Sequence, residues 1–267
     1  MKNQEISWKN ISIFLIISYS LFWIPFFIMK LLEWRGNDSS IWATIFGILG
    51  PYSPLIAAII MLKIITKEGF QNTHLGIKRV HWVYWFFAIL LPFFWNGIQD
   101  TLQLIFGFTE LDWHEIPKGL YRIPINLFGG LIIFIGEEFG WRSYLLQKLR
   151  PLGRWNALLI SGIFWSLWHA PLLIIPNLHY GLKLEFLGAV LSLFIFILSG
   201  FIFGWLYIES NSVWPCVLMH SFNNQITMKL FNCNVKVEPT LLQNALMAII
   251  PIFLVWLILF LKNKFKE

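Results

Sequence analysis

Eight apolar stretches of about 20 residues alternate along the chain with short polar segments. They cover residues 11–32, 41–62, 82–106, 123–141, 156–176, 186–208, 212–231 and 241–261. At about 1.5 Å per helical residue, 20 residues reach about 30 Å, the thickness of the hydrocarbon core of a bilayer. The pattern predicts an all-α fold, a polytopic transmembrane helix bundle of about eight spans. The seventh stretch is the weakest, because several polar residues interrupt it. The first is too long for a cleavable signal peptide, and no small-residue cleavage site follows it. Pro25, Pro51, Pro54, Pro92 and Pro171 are expected to kink or end helices, which packed neighbours tolerate in a membrane. No soluble domain, low-complexity tract or repeat interrupts the pattern, so residues 1–267 read as a single integral-membrane domain.

Composition agrees with the pattern. Of the 267 residues, 57% are hydrophobic and 13% charged, whereas a soluble chain carries about 25% charged residues. Cys216 and Cys233 cannot build a disulfide framework. The net charge of +6 comes with no basic patch interleaved with aromatics, which excludes a nucleic-acid partner. The bilayer is the expected partner. With an inside N-terminus, basic residues such as Lys63, Lys67, Lys78, Arg79, Lys148, Arg150 and Arg154 gather on the cytoplasmic side, outnumbering those outside such as Lys30, Arg35 and Lys229. That bias predicts a multi-pass cell-membrane protein with both termini in the cytoplasm.

Ionisable groups inside apolar stretches are costly, and face a bundle interior or a water-filled cavity where they occur. Three clusters of this kind occur. In Gly136-Glu137-Glu138-Phe139-Gly140-Trp141-Arg142, Glu138 and Arg142 stand i, i+4 and can pair on one helical face. Glu137 points about 100° away and is free for proton transfer; the plainer alternative is a charged helix end leaving the membrane. In Phe164-Trp165-Ser166-Leu167-Trp168-His169, the histidine sits late in an apolar helix with Trp165 one turn before it; an interfacial histidine is the alternative. In His220-Ser221-Phe222-Asn223-Asn224, His220 and Asn224 share a face. Such donors suit polarisation of a carbonyl oxygen, or an interhelical bond that holds the bundle together.

Taken in order, Glu137-Glu138-x-x-x-Arg142, Trp165-x-x-x-His169 and His220-x-x-x-Asn224 resemble the motifs of the type II CAAX prenyl endopeptidase, or Abi, family of membrane proteases. The resemblance covers about residues 123–231, the catalytic core of that family's domain. The family usually has Phe where this chain has Trp165, which bears on pocket shape more than on chemistry. The resemblance implies an intramembrane endopeptidase that hydrolyses a peptide bond of a membrane-embedded or lipid-modified substrate. Glu137 and His169 would activate a water, His220 and Asn224 would hold the oxyanion, and Glu138 and Arg142 would fix the helix that presents Glu137. Bacterial relatives are linked to bacteriocin self-immunity and lysostaphin resistance, so a non-catalytic immunity protein or scaffold is the alternative, followed by a proton-coupled transporter. No cofactor is expected. If a divalent metal such as Zn took part, Glu137, His169 and His220 would be its ligands.

Two spatial expectations follow. The four catalytic candidates should meet in a water-accessible pocket in the half of the bundle that carries Lys148, Arg150 and Arg154. Residues 143–150, with Leu145, Leu146 and Leu149 on one face, should lie as a helix along the membrane interface. Gly200-x-x-x-Gly204 should serve close helix packing, within the chain before between chains.

Overall fold

The computed structural model describes residues 6–71, 73, 80–111, 116–178, 183–227 and 233–264; Lys78, Arg79, His114, Glu115 and Lys229 lie outside them. Within the described residues all eight apolar stretches are helical. They form α1 (Trp8–Trp34), α2 (Ser40–Ile60), α3 (Trp82–Ile105), α4 (Ile116–Glu138), α5 (Arg154–Leu178), α6 (Lys183–Ser210), α7 (Trp214–Ser221) and α8 (Leu241–Lys264). Six helical segments are long and apolar enough to cross a membrane: those beginning at Trp8, Ser40, Leu120, Arg154, Glu185 and Leu241. The two that fall short are α3 and α7. Both carry polar residues that face an internal cavity (Asn96, Gln99, His220), and α7 is short. Large apolar side chains such as Ile16, Phe128 and Ile258 are exposed on the outside of the bundle, where acyl chains would cover them. The five prolines sit inside helices and end none of them.

Two short strands, Thr109–Leu111 (β1) and Cys233–Val235 (β2), pair antiparallel and tie the end of α3 to the approach to α8. At this end, Glu185 of α6 accepts a hydrogen bond from the Leu241 amide, 3.0 Å. Thr240 and Gln243 cap α8 reciprocally, at 3.2 Å and 2.9 Å, which satisfies amides that the first helical turn leaves open. At the opposite end, Arg154 at the start of α5 pairs with Glu209 at the end of α6, and Lys148 pairs with Glu68.

Glycine decides how closely two helix pairs approach. A Cβ at Gly136 would lie 2.6 Å from the Pro51 carbonyl oxygen, and one at Gly140 would collide with Pro54. The Glu137–Glu138 segment therefore lies directly against α2. A Cβ at Gly200 would lie 2.8 Å from the Gly162 Cα, and one at Gly204 2.7 Å from Leu158. The Gly200-x-x-x-Gly204 stripe thus packs α6 on α5 within the chain, as small-residue stripes do where backbones approach.

The helix carrying the first cluster does not end there. Beyond Glu138 it continues as a π-helical stretch, Phe139–Leu146, into a turn at Gln147–Leu149. Its side chains at 139–146 are all buried. This overturns both the charged helix end and the interfacial helix over 143–150: Tyr144, Leu145, Leu146 and Leu149 are core residues. Amphipathic spacing alone cannot tell a helix that lies on lipid from one whose polar face is covered by other helices.

Candidate active site

The helix α5 is held from three other helices through its own backbone and side chains. Tyr19 and Trp23 of α1 donate to the carbonyls of Phe164 and Trp168, 2.7 Å and 2.9 Å. Trp168 donates to Ser53 of α2, 3.2 Å, and Ser166 to the Leu193 carbonyl of α6, 2.7 Å. In an apolar surround these bonds fix the rotation of α5, and so the position of His169. Its Nδ1 lies 3.0 Å from the Trp165 carbonyl oxygen. A carbonyl only accepts, so Nδ1 carries a proton, and in the neutral ring Nε2 keeps a lone pair. The ring is stacked on Phe196, centroids 4.4 Å apart, and set edge-on to Trp165 and Trp168.

Glu137 is buried, and the Trp165 indole donates to its Oε2 at 3.4 Å. Trp165 is therefore more than an enlarged aromatic: a Phe in its place could not donate. Glu138, fully buried, faces two cationic or donor groups. Its Oε1 lies 2.8 Å from His220 Nδ1, and its Oε2 3.1 Å from Arg142 Nε. The latter is an ion pair without hydrogen-bond alignment, since Glu138 Oε2 and the three guanidinium nitrogens of Arg142 have no hydrogen-bond partner among the described residues. The guanidinium is instead sandwiched, 5.1 Å from the Trp165 ring and 5.4 Å from that of Phe203, an arrangement that suits its planar, weakly hydrated charge. His220 is stacked on Phe134 at 4.0 Å. The expected Glu138–Arg142 pair is present; the Glu138–His220 bond joins two clusters that look separate in sequence.

Asn224 belongs to a second π-helical stretch, Phe222–Thr227. Its Oδ1 accepts from Asn223 Nδ2, 2.6 Å. Asn223 in turn accepts at Oδ1 from Trp95 Nε1, 2.7 Å, and from Asn96 Nδ2, 3.0 Å. Of the three motif-bearing helices, α4 and α7 thus pass into π turns, as does α2 at Met61–Ile65; such turns are rare.

A cavity of about 600 Å³ lies among α3, α5, α6, α7 and α8. Its lining includes Trp165, His169, Phe203, His220, Asn223 and Asn224, with Asn96, Gln99, Asn244, Phe196 and Ile252. His169, His220 and Asn224 face one space. Glu137 is not among its lining residues and meets it through Trp165. The lining residues fall in the second half of α3, the later part of α5, the middle of α6 and the first half of α8, so the cavity lies mainly in the half of the bundle nearer the paired strands. The half that carries Lys148, Arg150 and Arg154 is the other one, contrary to expectation.

The segment that carries these three motifs matches a known family. Residues 120–226 match the Rce1-like type II CAAX prenyl endopeptidase family. A stretch of 142 residues is 30% identical to CAAX prenyl protease 2 of Methanococcus maripaludis, covering 51% of this chain and 49% of that protein. The chain therefore spans about half the length of the curated relative it matches. The resemblance drawn from the motifs is borne out. Every motif residue lies inside the Rce1-like segment, but the cavity does not: Trp95, Asn96 and Gln99 of α3, and Asn244 and Ile252 of α8, fall outside it.

Sequence reasoning missed Trp95, Asn96 and Asn223. A polar Asn96 and Gln99 one turn apart in an apolar helix was the available signal. Among the described residues no three His, Cys, Asp or Glu side chains are grouped to hold a metal ion, Glu137, His169 and His220 included. Nδ1 of each histidine is engaged by protein, and no step below passes through a metal.

Proposed function

We propose that this chain is an intramembrane endopeptidase and that its cavity is the place of peptide hydrolysis. The observation that carries this is the meeting, around one cavity, of His169, whose Nδ1 is engaged by the Trp165 carbonyl, with His220 and Asn224. His169 Nε2 and Glu137 act on a water as general base. The water oxygen attacks the scissile carbonyl carbon, and the proton it loses goes to Glu137. The carbonyl oxygen becomes an oxyanion that accepts from Asn224 Nδ2 and His220 Nε2. Held by Glu138 through Nδ1, His220 has its Nε2 left to serve the oxyanion. Collapse breaks the C–N bond, and Glu137 returns the proton to the leaving amine. Glu138 and Arg142 fix the segment on which Glu137 stands.

The substrate class follows from the relative's name and the apolar surround: a prenylated or otherwise lipid-modified peptide, or a membrane-embedded one. The test incubates the purified protein in lipid vesicles with a library of membrane-anchored peptides, prenylated and unmodified, beside its Glu137→Gln variant. Cleavage by the wild type and a loss of about 100- to 10,000-fold in the variant is expected, the usual range for a general base. Equal cleavage by both proteins would refute the role of Glu137. No cleavage of any peptide would favour a binding protein without catalysis.

A further inference from the structure

The amide of Asn224 has two ends with opposite chemistry, and only one of them can help an oxyanion. Which end faces the cavity is decided by a chain of hydrogen bonds that starts on α3. Trp95 offers an indole N–H, which only donates, so the Asn223 atom 2.7 Å away is its oxygen. Asn96 Nδ2 donates to the same oxygen at 3.0 Å and to the Pro92 carbonyl at 3.0 Å, which fixes its own orientation as well. Asn223 must then turn its Nδ2 away from α3, and it donates to Asn224 Oδ1 at 2.6 Å. With that oxygen engaged, the remaining end of the Asn224 amide is the donor. All four residues line the cavity that also holds His169 and His220.

We infer that Asn223, oriented by Trp95 and Asn96, is a positioning residue that sets the Asn224 carboxamide with its donor end toward the reacting carbonyl. This rests on the proposed oxyanion role of Asn224. It assigns a part in the reaction to α3, which lies outside the Rce1-like segment. A tempting single-residue account, in which Asn224 suffices by its spacing from His220, lacks any reason for the amide to keep one orientation. An inverted amide would place a carbonyl oxygen against the developing oxyanion and oppose it.

Asn223→Asp separates the two accounts with almost no change of shape. One carboxylate oxygen still accepts from Trp95 and Asn96. The other, now an acceptor, calls for the Asn224 Nδ2 and inverts that amide. Cleavage of a membrane-anchored peptide that the wild type hydrolyses is measured for Asn223→Asp, Asn224→Ala, the double variant, and Trp95→Phe, which removes one donor without introducing a charge. Expected is a fall in kcat of about 100-fold for Asn223→Asp and for Asn224→Ala, the usual range for one lost oxyanion donor, with KM within about twofold. The double variant should be no slower than Asn224→Ala, because a residue acting through Asn224 has nothing left to act on. Trp95→Phe should show a smaller fall of the same kind, again absent when Asn224 is Ala, and it carries the test if Asn223→Asp does not fold. If Asn224→Ala is slow while Asn223→Asp and Trp95→Phe turn over like wild type, the positioning role is overturned and the oxyanion role stands. Losses that multiply in the double variant, or that appear in KM, overturn it as well. If Asn224→Ala turns over normally, the oxyanion role itself fails, and this inference fails with it.

Discussion

Replacing Glu138 by Gln removes a charge and almost no volume, and the structure makes the outcome calculable. Glu138 is fully buried between His220 Nδ1 at 2.8 Å and Arg142 Nε at 3.1 Å. A Gln has one accepting and one donating end and no charge. With its oxygen on His220, its NH₂ is turned to Arg142; inverted, it meets His220 Nδ1, which can accept only by moving its proton to Nε2. Either way the Arg142 charge loses its counter-ion in a site with no water access. Removing one partner of a buried ion pair costs about 3–5 kcal/mol. At about 2–4 °C per kcal/mol for a chain of this size, a cost of 3 kcal/mol lowers Tm by about 6–12 °C. Thermal unfolding of the purified protein in detergent, followed by tryptophan fluorescence, measures it. The companion Glu138→Gln, Arg142→Met double variant should recover part of the loss, because Met takes the space between Trp165 and Phe203 without a charge to balance. A Glu138→Gln variant within about 1 kcal/mol of wild type, or a double variant whose losses simply add, would refute the claim that this triad ties α4 to α7.

Gly200→Val places a side chain where a Cβ would already stand 2.8 Å from the Gly162 Cα; the α5–α6 contact should open at a cost of about 1–3 kcal/mol, read as lower Tm and lower yield of folded protein. Trp165→Phe keeps the aromatic surface and deletes the bond to Glu137. A net hydrogen-bond contribution of about 0.5–1.5 kcal/mol corresponds to a fall in kcat of about two- to tenfold, with unchanged KM for the cleaved peptide. Thr240→Ala removes the hydroxyl that caps α8 and should cost about 1 kcal/mol in thermal unfolding without changing cleavage.

The hydrophobic pattern alone specified the helices, because a backbone in lipid must satisfy its polar groups internally and helix is the local way to do so. It placed six of the eight within a few residues, the exceptions being α4, which begins seven residues earlier, and the short α7, and it marked the ionisable groups that lipid would not accept. The three motifs were legible for the same reason: Glu137, His169 and His220 stand out against apolar neighbours. What sequence periodicity could not supply was the partner of each group, since partners come from other helices. Glu138 and Arg142 are neighbours on one turn and were paired correctly, but the His220 that completes the triad is 82 residues further along. The stretch 143–150 was misplaced because its apolar face suits lipid and protein equally; only packing against α2 and its neighbours showed it to be core. Trp165 looked like a change of size until its indole was found against Glu137. Trp95, Asn96 and Asn223 carry no recognisable spacing, and their role exists only where α3 meets the π turn after α7. Local chemistry follows from the order of residues, whereas the orientation of an amide or the neighbour of a carboxylate follows from which helices touch.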